Sequence, residues 1–476
     1  MAKLLLEVGQ IGVSVAGGGE AMTHAARRLV SSWGADDPKT LLKIDFVNAF
    51  NTVSRDHILA IVAEDCPQLL PYVLSAYGSA SAIDFGEIIW SMCGAQQGDP
   101  LGPLLFSLVL RRVWRDVEAA LAAAGSAPLD LRAAFLDDKV LAGDTSVVRE
   151  AFVLLREKAA AVGLVVNLAK CEVISRDLAA VVSFADIPAH PAPEKWQLLG
   201  APCGSEVAHA HEHVKAAMDR GLEKLGAIVQ LPEAHIGMTL IGYCASFGLA
   251  VFYARAVGPS PSFKQFDAAV RDAAGSFIGH VSDDKWLQVR LARRLGGIGL
   301  RDVMSHAPIA FAVASASSQS LFSHLISAEP LAALPADPWL AASLADPILH
   351  TYPLVSEALT EYLQMGNACF GDKMQRELSH QIEGEHQRVL LLHASVETKA
   401  RLLSCSAPHA SSWISPTTAN MHVPNFMTNA EFVVLIRNRL GLPVLPLATP
   451  CAMCKGRPWG LWHQKRSRGS KSLVRW

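Results

Sequence analysis

An excess of charge is missing from this sequence. Its 44 Asp and Glu against 42 Lys and Arg leave a formal charge of -2, so bulk electrostatics selects no polyanionic partner and any grip on nucleic acid has to be local. A disulfide framework is missing too. The nine cysteines are odd in number and scattered, with only Cys451 and Cys454 close enough to form a motif, which fits a reducing compartment. The N-terminal "MAKLLLEVGQIGVSVAGGGEAMTHAARR" has neither the apolar core nor the small-residue cleavage pattern of a secretory leader, so an intracellular location is expected. No internal repeat is present. Charged residues are scarce at 18% while hydrophobic ones reach 51%, which argues against wholesale disorder and, over 476 residues, predicts two to four mostly helical domains. One stretch, "HIGMTLIGYCASFGLAVFYA" at 235–254, is uncharged and about as long as a bilayer-spanning helix. Its Thr239, Tyr243, Ser246 and three glycines predict a buried helix instead, with no membrane partner.

The apolar run Leu41, Leu42, Ile44 reads as a buried strand closing on Asp45. Ser54 then caps a helix with Asp56 in its first turn, ended by Pro67. "AIDFGEIIWS" predicts two short strands about Gly86. A long helix follows, with Pro103 near its start, Leu104, Leu105, Leu108 and Val109 facing inward, and Gly125 as its stop. Leu131 to Leu136 and Lys139 to Ala142 form a tight hairpin with Asp137 and Asp138 at its tip. A helix over 146–161, closed by Gly163, leads to the strand "LVVNLAKCEVIS". The fold class is α+β: strand, helix, hairpin, helix, strand across 41–175 is close to a split βαβ unit, and it sets Asp45 and the Asp137–Asp138 turn at the ends of neighbouring central strands. Beyond residue 205 the pattern is helical, with "RRLGGIGLRDV" as a loop and linkers expected at 329–353 and 440–450.

Acids gathered at the end of a packed strand repel one another unless a counter-charge joins them, and oxygen ligands on rigid elements suit Mg²⁺. Two such ions about 3.5–4 Å apart activate an attacking hydroxyl and stabilise a leaving oxygen in phosphoryl transfer. Two other readings compete. Asp137-Asp138 is an ordinary turn, since Asp is favoured there, or it is part of an Asp-rich Mg²⁺-diphosphate site of the isoprenoid type, which needs helical spacing.

The combination of segments resembles the reverse transcriptases of non-LTR retrotransposons. "KIDFVNAFNTVSRD" is similar to polymerase motif A, "GAQQGDPLGPLLFSLVL" to motif B, "AAFLDDKVLAGD" to motif C and "GLVVNLAKCEVI" to motif D, in that order. "WQLLGAPCG" at 196–204 fits the primer grip, "GGEAMTHAARR" the segment before motif A, and "RRLGGIGLRDV" a segment beyond the thumb. The resemblance implies an RNA-directed DNA polymerase with a right-hand palm, a helical thumb and a helical C-terminal region: residues 1–40 as a fingers and pre-palm remnant, 41–204 as palm, 205–300 as thumb, 301–445 as the C-terminal region and 446–476 as a disordered tail. It implies that Asp45 and Asp137 hold two Mg²⁺ ions, or Mn²⁺ in their place, with Asp138 supporting and the Phe46 carbonyl as a further ligand. Phe50 would exclude a 2′-hydroxyl, Gln97 and Gly98 would meet the incoming nucleotide and template base, and Lys170 would protonate the departing pyrophosphate. The partners implied are an RNA template, a DNA primer and a dNTP, and the location is the nucleus. Arg111, Arg112, Lys215, Arg220 and Lys224 are candidates for lining a groove.

The family's fingers segment ahead of "GVSVAGGGEA" and its endonuclease are not in the chain, so a form truncated at both ends is expected. Arg27 and Arg28 are read as a solvated helix face or as phosphate contacts. "CAMC" with His463 resembles the start of a zinc knuckle whose fourth ligand is missing, Arg468 standing in its place, so zinc at Cys451, Cys454 and His463 lacks a full set. The tail from Lys455 has seven basic residues, no acids and three tryptophans. These departures keep a second function open, a catalytically inactive remnant that folds and binds RNA.

Overall fold

The computed structural model describes residues 2–84, 86–365, 373–414 and 427–444. Cys451, Cys454, His463, Arg468 and the basic tail lie outside them, as does most of the linker expected at 440–450. The strands are β1 (Lys39–Ile44), β2 (Ser81–Asp84), β3 (Ile88–Ser91), β4 (Leu131–Phe135), β5 (Asp138–Asp144), β6 (Glu172–Ser175), β7 (Gln197–Leu198) and β8 (Ala201–Pro202). Four of them form one sheet in the order β4-β5-β1-β6, every neighbouring pair antiparallel. With the Gly102–Ala123 helix before the β4–β5 hairpin and the Thr145–Ala161 helix after it, this is the connectivity of a split βαβ unit.

Both faces of the sheet are covered, which is why its strands read as runs rather than as alternation. Leu42, Ile44, Leu141 and Val173 pack with the Arg55–Asp65, Gly102–Ala123 and Thr145–Ala161 helices. Leu41, Val140, Ala142 and Ile174 face the other way, under the Gly18–Ser32 helix, Trp196 and Phe322. The exposed edge of β4, which would otherwise offer unpaired backbone groups, is covered twice. Gln10 bridges Ala134 in parallel and Ile326 bridges Leu131, with Ile11 N–H donating to the Ala134 carbonyl at 2.8 Å and Ser327 N–H to the Asp130 carbonyl at 2.8 Å.

Several local expectations hold for the reasons given. The Ser54 hydroxyl accepts from His57 N–H to start the Arg55–Asp65 helix, and Gly86 turns β2 into β3 at φ +82°. Three do not hold. The strand expected through 164–175 is cut to Glu172–Ser175, because Asn167 donates to the Asp45 carbonyl at 2.8 Å and then turns, its own carbonyl accepting from Lys170 and Cys171. The expected linker at 329–353 is helical. Its two Asp-Pro pairs are helix starts, Asp337 accepting from Trp339 N–H at 3.0 Å and Asp346 from Ile348 N–H at 2.9 Å, with proline at the first helical position.

The third is the uncharged segment, expected as one helix. It is long and apolar enough to cross a membrane by length and composition, yet it forms two helices, Ala234–Cys244 and Phe247–Val257. Ser246 leaves helical geometry between them, and its hydroxyl bonds the Gly242 carbonyl at 3.0 Å. Each half spans about 16 Å, roughly half of a bilayer's hydrocarbon core. One apolar cluster runs from Ala201 through these helices to Leu440, and the loop Arg293–Val303 sits at its margin. There Arg301 Nε meets Glu383 at 2.6 Å and Asp267 accepts from Val303 N–H at 2.8 Å and Met304 N–H at 3.0 Å.

Candidate active site at the end of the central strands

The β1–β5 ladder pairs Lys43 with Val140 and Ile44 with Lys139. One further step of that register sets Asp45 opposite Asp138 on the same face of the sheet, where like charges are unfavourable. Both acids line a cavity of about 290 Å³ together with Lys43, Ile44, Lys139, Lys170, Glu172 and Leu198. Asp45 Oδ2 is closed off from solvent and has no hydrogen-bond partner. Lys170 Nζ lies 4.0 Å from it, and Lys43 is committed to Glu172 at 2.7 Å. Asp138 stands at the mouth, its carboxyl held above the usual range by loss of solvation, then by Asp137 and Asp45, with Lys43 opposing. The result is a pair of neighbouring acids with Lys170 at the limit of ion-pair distance and one Asp45 oxygen left without a hydrogen bond.

Asp137 occupies the turn, one residue from this pair and not in the cavity wall. The expected tip, Asp137–Asp138, is displaced by one residue: Leu136 and Asp137 make the turn, while Asp138 pairs with Phe135 as the last rung of the ladder. Leu136 takes φ +58°, uncommon for an L-residue. The Gln10 side chain supports it, accepting from Leu136 N–H at 2.9 Å and donating to the Leu136 carbonyl at 3.0 Å. Because the acids sit in a turn and a strand rather than on a helix, the isoprenoid-type reading has no helix to stand on.

Whether Asp45, Asp137 and Asp138 fit a divalent ion follows from their chemistry. Among the described residues no three His, Cys, Asp or Glu side chains form a ready-made metal cage. The orphaned Asp45 oxygen and the raised Asp138 carboxyl fit Mg²⁺, which takes one or two carboxylates and completes its shell with water and phosphate oxygens.

Phe46 is buried and bridges Val166. The flanking bonds, Val47 N–H to Val165 and Asn167 N–H to Asp45, both at 2.8 Å, leave Phe46's own carbonyl directed away from that bridge, toward the β5 side. Phe50 is half-buried and stacked on Phe106, ring centroids 4.7 Å apart. Gln97 and Gly98 are exposed. Gly98 has φ +93° with nothing within 4 Å of where a Cβ would stand, so its backbone angle already requires glycine. The loop is pinned by Asp99, which accepts from the Tyr77 hydroxyl and from Leu101 N–H at 2.8 Å. Burial, followed by that carboxylate, pushes the Tyr77 phenol up to about 12. Phe50, Gln97 and Gly98 stand on neighbouring elements and do not line the acid cavity.

The arginines expected at phosphates or on a solvated face are structural. Arg27 is buried, donating to the Ala256 carbonyl at 2.7 Å and to His24 at 2.8 Å, 3.9 Å from Asp337 and stacked over Trp339. Arg28 reaches the Pro335 carbonyl at 2.8 Å. Arg111 is buried against Asp65 at 2.8 Å, and Arg112 pairs with Glu64, so neither is an uncommitted groove cation. Lys215 pairs with Asp219 at 2.7 Å, while Arg220 and Lys224 are exposed. Two residues at the site had no signal in the sequence: Gln10, far away along the chain, and Lys139. The latter is buried over the Trp114 ring at 4.0 Å and is pushed down to about 7 by burial and by Arg132.

Residues 22–203 match the family model of reverse transcriptase (RNA-dependent DNA polymerase). The matched reverse transcriptase domain contains all the residues lining the acid cavity and the Leu136–Asp137 turn, leaves out Gln10, Lys215, Arg220 and Lys224, and ends at the β7–β8 hairpin. No curated protein matches the chain. Among solved structures it is similar to telomerase from Candida albicans in complex with a TWJ fragment of telomeric RNA. That similarity has 9% identity and a TM-score of 0.36, over 75% of this chain and 54% of that one. The chain therefore spans about half the length of that structure's chain.

Proposed function

We propose that the chain is an RNA-directed DNA polymerase of the non-LTR retrotransposon type, joining a dNTP to the 3′-hydroxyl of a DNA primer on an RNA template. The observation that carries it is Asp45 beside Asp138 one step beyond the last rung of β1 and β5, with Asp45 Oδ2 orphaned, inside a reverse transcriptase domain. In this reading the sheet and its helices are the palm, residues 205–300 the thumb and 301–445 the C-terminal region. Asp45 and Asp137, with Asp138 supporting and the Phe46 carbonyl adjoining, would hold Mg²⁺ or Mn²⁺. When bound, the ions neutralise charge on the transferring phosphate and lower the proton affinity of the attacking hydroxyl.

The chain's own residues orient and complete the site. Lys170, exposed and 4.0 Å from Asp45, holds the proton that the departing pyrophosphate receives. Phe50 restricts the sugar, the Gln97–Gly98 loop meets the template base, and the β7–β8 hairpin holds the primer. Positioning in line, rather than covalent chemistry, supplies the rate.

One observation favours the second reading, a non-catalytic RNA-binding chain: the arginines nearest the domain's start are engaged with protein. Extension of a DNA primer annealed to RNA, with Mg²⁺ and with Mn²⁺, separates the two. Asp137→Asn is expected to lower incorporation by at least about a hundredfold. Binding of primer–template without incorporation under either metal would sink the catalytic reading in favour of the second.

A further inference from the structure

The segment Gly9-Gln10-Ile11-Gly12 lies along the outer edge of β4. Ala134 N–H donates to the Gly9 carbonyl at 2.9 Å and Ile11 N–H to the Ala134 carbonyl at 2.8 Å. Glycines permit the approach: a Cβ on Gly9 would stand 2.4 Å from the Arg132 carbonyl oxygen, and one on Gly12 would stand 2.5 Å from Leu136 N. Between them Gln10, at 2% exposure, holds one residue of the turn, Leu136, through the backbone groups on both sides of its Cα. Its Oε1 accepts from Leu136 N–H at 2.9 Å and Gly12 N–H at 3.0 Å, and its Nε2 donates to the Leu136 carbonyl at 3.0 Å. A primary amide alone among side chains of this length offers both a donor and an acceptor in that arrangement. Leu136, at φ +58°, is the kind of residue that persists only where its surroundings over-determine it.

We propose that Gln10 is a positioning residue, a clamp on Leu136 that fixes where Asp137 and Asp138 stand relative to Asp45. The effect on catalysis rests on the polymerase reading; the clamp itself does not. An edge-covering role alone would be served by the backbone bonds of Gly9 and Ile11. The side chain acts instead on the turn, whose next two residues are the acids, and there a displacement of about 1 Å is enough to cost on the order of a hundredfold in rate.

Gln10→Met keeps the volume and the edge pairing and removes the clamp. In the full chain, Leu136 amide exchange is expected to be on the order of a hundredfold faster in Q10M than in wild type, with the β4–β5 ladder amides unchanged. The single-turnover rate is expected to fall by at least about tenfold, while half-saturation by primer–template stays within about twofold. Gly12→Ala, which crowds Leu136 N with Gln10 intact, is expected to lower the rate as well. A Leu136 amide unprotected in wild type, or Q10M turning over at the wild-type rate, overturns the proposal. If wild type shows no incorporation, the polymerase reading fails separately. The clamp is then decided by Leu136 exchange together with Mn²⁺ affinity, expected to be about tenfold weaker in Q10M and contradicting the proposal if unchanged.

Discussion

Asp45 and Asp138 are a pair that folding alone would not choose, and at the scale of single residues that is what marks the site. The sequence made their meeting legible, since an apolar run ending in Asp45 and a later hairpin with acids at its turn, combined in a split βαβ pattern, put those acids at neighbouring strand ends. Gln10 was not legible, because a lone glutamine more than a hundred residues from the turn carries no periodicity and no motif of its own. Arg27 and Arg111 were misread for the same reason, as burial by distant partners leaves no local trace. Phe50 has two physical accounts that one substitution separates. If its ring limits the sugar, Phe50→Ala raises ribonucleotide incorporation by at least about tenfold in a primer-extension assay with rNTPs. If the ring only fills the core beside Phe106, the variant loses about 3–5 kcal/mol in a urea melt with its sugar preference unchanged.

Among the elements, the Gly18–Ser32 helix shows most clearly how the reverse transcriptase domain is fastened to the helices that follow it. Its Arg27 reaches the Phe247–Val257 helix through the Ala256 carbonyl and the Pro338–Leu344 helix through Trp339 and Asp337. His24 lies beside it, fully buried, and burial followed by the Arg27 charge holds its pKa well below 6.5, so it stays a neutral acceptor for the guanidinium. Arg27→Ala strands the Asp337 carboxylate in the interior and is expected to cost about 3–5 kcal/mol in chemical denaturation. A loss under about 1 kcal/mol would mean the helix is held by its apolar face alone. Helices and hairpins were readable wherever caps, turns and periodicity agreed. The Asp-Pro starts at 337 and 346 were hidden by a proline- and alanine-rich composition that imitates a linker, and the break at Ser246 by uniform hydrophobicity, which carries no period.

For the molecule as a whole, a second core from Ala201 to Leu440 holds the long helical half together, and Asp267 gives it a pH-sensitive joint. Burial, then the neighbouring Asp302 carboxylate, pushes Asp267 up to about 7, against the pull of the Val303 and Met304 N–H groups and of Arg290. Between about pH 4 and pH 7 the folded chain keeps a proton that the unfolded chain has released. The contribution of this carboxyl is therefore complete below about pH 4 and is lost as pH rises through 7. Relative to Asp267→Asn, wild type is expected to lose on the order of 2–4 kcal/mol between pH 5 and pH 8, measured by urea unfolding at both values. Parallel pH profiles for the two proteins would contradict this. The central claim is that Asp45 and the acids of the β4–β5 turn form one divalent-ion site, and Mn²⁺ binding followed by electron paramagnetic resonance tests it most directly. Wild type is expected to bind, with Asp45→Asn and Asp137→Asn each weakening the affinity by at least about tenfold. An Asp45→Asn chain that binds Mn²⁺ as wild type does would contradict the account.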